Sequence, residues 1–313
     1  MRLLLVDGHY YLYRSFFAIR ELTNSRGEPT NAIYGFIKAL RRMIVDVRPD
    51  RAAVIWDRGI SERRATLQPA YKQHRPSMPD DMRVQEPIMQ ELVPLLGVAS
   101  LWLPDTEADD LIASYAVQHS GETVIATNDK DILQLVNERI RIYTTNKADL
   151  PAPEAGAPKA SAPTFALLGI DAVRAKWGVE PAQIADVLAL TGDSSDNIPG
   201  VDGIGQKTAA ALVTQFGTVE AMLARLNEVS SARIREKLIA QRDQIVDNRA
   251  MVGLDLDLPL PKPMAELAIA PRYPELIEAL RNLEFRTLLA EVEKEAQAAK
   301  TASRPQVIQG ELL

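Results

Sequence analysis

Short apolar runs alternate with longer amphipathic stretches through the first half of this chain. Residues 3–6, 52–56, 98–103, 123–126 and 140–143 have the length and branched-chain content of buried strands. Between them, residues 32–47, 84–96 and 107–118 carry apolar side chains at helical spacing. In the last of these, Leu111, Ile112, Tyr115 and Ala116 share one face. Alternating strands and helices predict an α/β fold with a mostly parallel central sheet flanked by helices. Residues 151–163, PAPEAGAPKASAP, have no core-forming pattern and read as a flexible loop. Beyond them the pattern is mainly helical to about Leu289, clearest over 182–190, 207–216 and 219–226. From about Ala296 the chain turns polar and reads as disordered. The expected organisation is an α/β domain over 1–165, a helical domain over 166–290 and a tail over 291–313, with no internal repeat.

Three of the strand-like runs lead into an acid. LLLV precedes Asp7, AAVIW precedes Asp57, and TVIATN precedes Asp129, with Asp131 two residues on. Glu107, Asp109 and Asp110 stand together in TEADD, and Asp193 and Asp196 in GDSSD. Ligands of parallel α/β sheets bind beyond the carboxyl ends of the strands. Carboxylates gathered there are costly unless a cation sits among them, and oxygen-only ligands suit Mg²⁺ or Mn²⁺ better than zinc. Such a site could activate water with one ion and stabilise a leaving oxygen with a second, which is chemistry for a phosphodiester. Each piece also has a plainer reading. Asp7 and Asp57 suit turns, Thr106 with Asp109 matches a capping box, TNDKD could cap a following helix, and GDSSDN is a turn composition. The joint occurrence at strand ends favours the metal site.

Composition narrows the classes. The chain has no cysteine, which excludes disulfides, zinc–thiolate sites and iron–sulfur clusters and suits a reducing cytoplasm. His9, His74 and His119 are its only histidines, which argues against a multi-histidine metal site. No apolar run is long enough for a bilayer, and the opening MRLLLVDGHY is cut by Asp7, so it reads as a first strand rather than a signal peptide. The net charge is −6, from 36 basic and 42 acidic side chains; setting the nine grouped carboxylates aside leaves 33 acids and a balance of +3. The acidity is therefore partly local, and charge placement outweighs the net value.

Two segments supply partners for phosphate. Between Asp57 and the third strand, RGISERRATLQPAYKQHRPSMPDDMR carries Arg58, Arg63, Arg64, Lys72, Arg75 and Arg83, with Tyr71 beside Lys72. Cations with an interleaved aromatic suit a nucleic-acid strand, although a solvated basic loop has the same composition. IPGVDGIGQKTAAALVTQFG places Gly200, Gly203 and Gly205 ahead of a helix that starts near Lys207. It has the form of a helix–hairpin–helix, whose close backbone approach and helix amides hold a phosphate; a tight interhelical turn is the plainer alternative.

Taken together, VDGHYYLYR, YKQHRPSMPDD, TEADDLI, TNDKDILQLV and LTGDSSDNIPGVDGIGQKTA resemble the 5′-nuclease domain of the bacterial DNA polymerase I family and its free-standing relatives, the flap endonucleases, over about residues 1–290. The resemblance implies a PIN/resolvase-like sheet, a helical arch at about 58–85 and a C-terminal helix–hairpin–helix domain. It also implies two-metal hydrolysis of DNA at 5′ ends and 5′ flaps, extending to RNA primers, in replication and repair. By motif, Asp7, Asp57, Glu107, Asp109, Asp110, Asp129, Asp131, Asp193 and Asp196 match the metal-site carboxylates. Lys72, Arg75 and Arg14 match basic groups at the reacting phosphate. Tyr71 and Arg64 of the arch, and Gly203, Gly205 and Lys207 of the hairpin, are the expected DNA contacts, with K⁺ on the hairpin carbonyls. Arg63 stands where an aromatic is common, and 151–163 looks inserted. No polymerase domain follows, which leaves a free-standing nuclease or a fragment.

The expected activity is thus a metal-dependent, monomeric 5′→3′ exonuclease and flap endonuclease. A non-catalytic DNA-junction binding module and an RNA-directed nuclease on a related fold are the alternatives. The final QGELL resembles peptides that dock on bacterial sliding clamps, against the plainer reading of an ordinary chain end.

Overall fold

The computed structural model describes residues 1–150 and 163–302. Most of the 151–163 segment and the whole of the clamp-like 309–313 peptide lie outside the described residues.

The first half builds a sheet in the order β3-β2-β1-β4-β5-β6. Strands β1 (Arg2–Asp7), β2 (Arg51–Ile55), β3 (Ala99–Leu101), β4 (Glu122–Ala126) and β5 (Ile140–Thr144) pair in parallel, and β6 (Ala166–Leu168) closes one edge antiparallel to β5. The apolar runs are continuous because both faces are covered. Leu3 and Leu5 of β1 point into one core, and Leu4 and Val6 into the other. The second core is filled by α1 (Gly8–Ala18), α2 (Asn31–Val47) and α5 (Gln85–Leu95). The first core receives α6 (Ala108–Gln118) and continues without a break into the helical half, so the two expected domains share one apolar cluster.

Between β2 and α5, the segment expected as an arch forms two short helices, α3 (Glu62–Leu67) and α4 (Asp80–Arg83), joined by turns. The helical half runs through α7 (Ile170–Trp177), α8 (Ile184–Thr191), α9 (Gln206–Phe216), α10 (Val219–Ala224), α11 (Ala232–Ala240), α12 (Arg242–Val252), α13 (Tyr273–Asn282) and α14 (Arg286–Ala302). Between α8 and α9, β7 (Gly192–Asp193) pairs antiparallel with β8 (Ile198–Pro199). A Cβ on Gly200 would fall 2.1 Å from the Thr191 carbonyl oxygen, so the hairpin tolerates only hydrogen there.

The structure departs from the sequence pattern at the tail and at one sheet edge. The tail from Ala296 is helical as far as the description reaches, because Leu288, Val292 and Ala296 form a buried stripe at four-residue spacing and Arg41 holds Glu291 and Glu295 at 3.2 and 2.7 Å. The edge strand β6 was not anticipated, since three residues carry too little periodicity to register.

Candidate active site

The acids at the strand ends do make the local bonds of caps and turns. Asp7 caps α1 by accepting the Tyr10 N–H on Oδ1 at 2.9 Å, while its Oδ2 accepts the Thr127 hydroxyl at 2.9 Å. Asp57 Oδ1 accepts the Ala108 N–H at 2.9 Å and so caps α6 from another strand. The capping box expected of Thr106 is not made, because its hydroxyl donates to the Pro104 carbonyl instead. Asp129 Oδ1 accepts the Asp131 N–H at 2.8 Å, and Asp193 Oδ1 accepts the Ser195 N–H at 2.8 Å. These bonds orient the carboxylates toward one another. Buried oxygens of three of the acids, Glu107 Oε1, Asp109 Oδ1 and Asp131 Oδ1, accept no hydrogen bond. Arg64 Nη1 lies 3.1 Å from Glu107 Oε1 as an ion pair, but outside hydrogen-bonding geometry.

The electrostatics divide the acids into two overlapping groups. Burial pushes Asp7 up to about 7, with Asp57 and Asp129 adding to the effect. Burial likewise raises Asp109 well above the usual range, reinforced by Asp129, Asp7 and Asp57. On the other side, burial and the charges of Asp129, Asp193 and Asp196 raise Asp131. Ligand atoms of Asp131, Asp193 and Asp196 all lie within 4.8 Å of one another. Asp129 belongs to both groups; burial raises it, and Asp196 and Asp193 add to the shift. Desolvated oxygens without donors, beside carboxyls that resist ionising, fit a divalent cation with hard oxygen ligands. Among the described residues, Asp131, Asp193 and Asp196 are the group whose ligand atoms lie close enough together for one ion; Asp7, Asp57, Asp109 and Asp129 line one cleft and act on one another through their charges.

Basic side chains close the same cleft, a space of about 340 Å³ whose lining includes Asp7, Asp57, Asp109, Asp129, Lys72 and Arg75. Lys72 Nζ bonds Glu107 and lies 3.8 Å from Asp196, and Arg75 bonds Asp196. Lys130 Nζ sits 2.9 Å from Asp193. The cations therefore face the carboxylates from within the fold.

Several predicted residues take other roles. Asp110 is taken up by Arg64, whose Nη1 also lies beside Glu107. It is 0% exposed, paired with Arg64 at 2.5 and 2.9 Å, and accepts the Asp255 N–H at 3.0 Å. Arg64, expected on DNA, is buried in that pair and donates to the Met251 and Gly253 carbonyls. Tyr71, expected to stack on a base, is buried with its hydroxyl 3.1 Å from Glu107 and 3.0 Å from Asp196. Arg14 lies beside the cleft, donating to Thr145 at 2.6 Å and Tyr10 at 3.2 Å. Gly203 has φ +71°, Gly205 precedes the first turn of α9, and Lys207 lies in that turn, separated in the chain from Asp193 and Asp196 by β8.

His9, Glu86, Thr127 and Lys130 were missed. His9 Nδ1 is 3.2 Å from Asp57 Oδ2 and its Nε2 is 3.3 Å from Glu86. Burial opposes its charge, but the bonds and charges of Asp57 and Glu86 prevail and lift it to about 9. The same histidine helps hold Asp57 down at about 2 against burial. His9 stands in the strand-end motif VDGHYY and could have been suspected there; nothing local marks Glu86.

Comparison with known proteins identifies the family. A profile described as the 5′-3′ exonuclease N-terminal resolvase-like domain matches residues 2–160, and one described as the 5′-3′ exonuclease C-terminal SAM fold matches residues 179–275. A 5′-3′ exonuclease of Aquifex aeolicus is 36% identical, across 93% of this chain and 95% of its own length. The thermostable DNA polymerase I of Thermus aquaticus is 39% identical across 93% of this chain, which spans only 33% of that polymerase. Among solved structures, the bacteriophage T5 D15 flap endonuclease, in a pseudo-enzyme–product complex with DNA and metal ions, superposes with a TM-score of 0.64 at 17% identity, covering 94% of this chain and all of that one. The catalytic core of Rad2 with a DNA substrate gives 0.58 at 15% identity, covering 90% and 87%. These two share the fold. With both family profiles in order and a relative of matching length, the chain belongs to the 5′-3′ exonuclease family.

Proposed function

We propose that the chain hydrolyses DNA phosphodiesters as a structure-specific 5′→3′ exonuclease and 5′-flap endonuclease, with two Mg²⁺ or Mn²⁺ ions, in replication and repair. The observation that carries this reading is the double carboxylate group with Asp129 common to both halves and unbonded oxygens on Asp109 and Asp131. When bound, the ions would lower the pKa of a water and offset charge on the leaving oxygen. Asp7, Asp57, Asp109 and Asp129 would hold one ion and Asp131, Asp193 and Asp196 the other, with Asp129 between. Lys72 and Arg75 line the cleft and would leave Glu107 and Asp196 to take up a phosphate, stabilising charge that grows in the transition state. Thr127, His9 and the α6 amide of Ala108 hold Asp7 and Asp57 in place while this happens.

The turn around Gly203 and Gly205 with Lys207 would grip duplex backbone, and K⁺ on its carbonyls is part of this reading. RNA primers as further substrates, action as a monomer and a cytoplasmic location complete it. Among the described residues no helix is long and apolar enough to cross a membrane. Mapping the product ends of a 5′-flap DNA in Mg²⁺, beside binding in Ca²⁺, tests the proposal. Cuts at the flap junction with release of the 5′ strand support it, whereas tight binding in Ca²⁺ without cleavage in Mg²⁺ or Mn²⁺ would make the protein a junction-binding module.

A further inference from the structure

Four consecutive carbonyls of the turn that carries Asp193 and Asp196 face the segment that carries Lys72 and Arg75. The Ser194 carbonyl oxygen lies 3.0 Å from His74 Nε2, the Ser195 oxygen accepts from Arg75 Nε at 3.5 Å, and the Asp196 oxygen accepts the Lys72 N–H at 3.1 Å. The fourth, on Asn197, accepts from Gln68 Nε2 at 2.5 Å. Asn197 answers with its own side chain, donating from Nδ2 to the Ala70 carbonyl at 2.8 Å. Both Asn197 and Lys72 have left-handed backbones, at φ +62° and +55°. Asparagine tolerates that conformation better than most side chains.

We propose that Asn197 and Gln68 form a clasp that fixes the register of the Lys72–Arg75 segment on the acid-bearing turn, and that both are positioning residues for cleavage. Lysine and arginine side chains are long and flexible, so their placement depends on where the backbone is held. The clasp bonds run in opposite directions, from residue 68 to 197 and from 197 to residue 70, so a slip of one residue breaks both. Neither side chain points a charge at the substrate, and Asn197 is exposed. Their loss therefore alters local order more than global stability. An error of about 1 Å at a reacting group can cost about a hundredfold in rate.

This inference rests on the nuclease reading, and the test keeps the two apart. Asn197→Gly keeps the left-handed backbone and removes the Nδ2 donor; Gln68→Ala removes the other arm. For each, single-turnover flap cleavage in Mg²⁺, flap affinity in Ca²⁺, and hydrogen exchange at the Lys72 amide without DNA are measured. The clasp predicts a rate lowered roughly tenfold or more, affinity within about twofold, and faster Lys72 exchange. It also predicts that the double variant is little worse than either single one. Rates within about twofold of wild type with unchanged exchange overturn the clasp. A rate loss matched by an equal affinity loss would make Asn197 or Gln68 a direct DNA contact and also overturn it. If the wild type itself cuts no flap, the nuclease reading fails, and the exchange arm still decides whether the clasp orders the segment.

Discussion

Arg64 and Asp110 meet inside the protein as a bidentate pair, Nη1 to Oδ2 at 2.5 Å and Nη2 to Oδ1 at 2.9 Å. The pair ties α3 to α6, and Arg64 also donates to the Met251 and Gly253 carbonyls at the C-terminal end of α12. Removing one partner leaves a buried charge alone, so Arg64→Ala should cost about 3–5 kcal/mol in urea denaturation. An Arg64→Met, Asp110→Leu double variant should recover much of that loss. A cost below about 1 kcal/mol for Arg64→Ala would show that the pair is not the staple it looks to be.

His9 gives a pH signature. Its folded-state value of about 9 lies above the ordinary 6.5, so charged His9 adds stability in full below pH 6.5 and loses it as pH rises through 9. Wild type should therefore exceed His9→Gln in stability at pH 6 by more than at pH 10. Denaturation curves across that range check the sign. A gap that stays constant with pH would place His9 in a neutral role.

The clustered acids titrate in the opposite sense from a salt-bridged carboxylate. Asp7 is raised from 3.8 to about 7, so in metal-free protein its contribution is most favourable below pH 3.8 and is lost as pH rises through 7. Asp109 and Asp131 shift in the same direction. Divalent ions compete with those protons, so Mg²⁺ or Mn²⁺ should raise the Tm more at pH 8 than at pH 5. An ion present at about a hundred times its Kd adds about 2.7 kcal/mol. Equal shifts at both pH values would argue that the ions bind elsewhere.

Gly200 tests the hairpin. An alanine Cβ would meet the Thr191 carbonyl at 2.1 Å, forcing the β7–β8 turn to move. Gly200→Ala should lose about 1–3 kcal/mol of stability. Its affinity for duplex DNA should fall as well, measured by fluorescence anisotropy. Unchanged stability would mean that the turn gives way freely.

The apolar runs could be read because β1, β2, β4 and β5 are covered on both faces, which leaves continuous branched-chain stretches ending in acids. What could not be read is orientation between neighbours. Asp109 and Asp110 adjoin on α6, yet one keeps an unbonded oxygen beside Asp129 and the other turns to Arg64, 46 residues away in the chain. A helix separates successive side chains by about 100°, and only the tertiary partner shows which face is which. Tyr71 shows the same limit: its place beside Lys72 suggests a stacking ring, and only the fold shows its hydroxyl set between Glu107 and Asp196. The α14 stripe of Leu288, Val292 and Ala296 was present in the sequence and was masked by its polar company.

Asp129 is the carboxylate that acts on both sets of acids, Asp7 and Asp109 on one side and Asp131 on the other. Cleavage of a 5′-flap DNA by wild type and by Asp129→Ala, with and without Mg²⁺, tests that role directly. The prediction is Mg²⁺-dependent cutting by wild type, a loss of at least about a thousandfold in the variant, comparable to removing a principal electrostatic group, and flap binding that persists in both. Equal cleavage by the two proteins, or cleavage indifferent to divalent ions, would contradict the account.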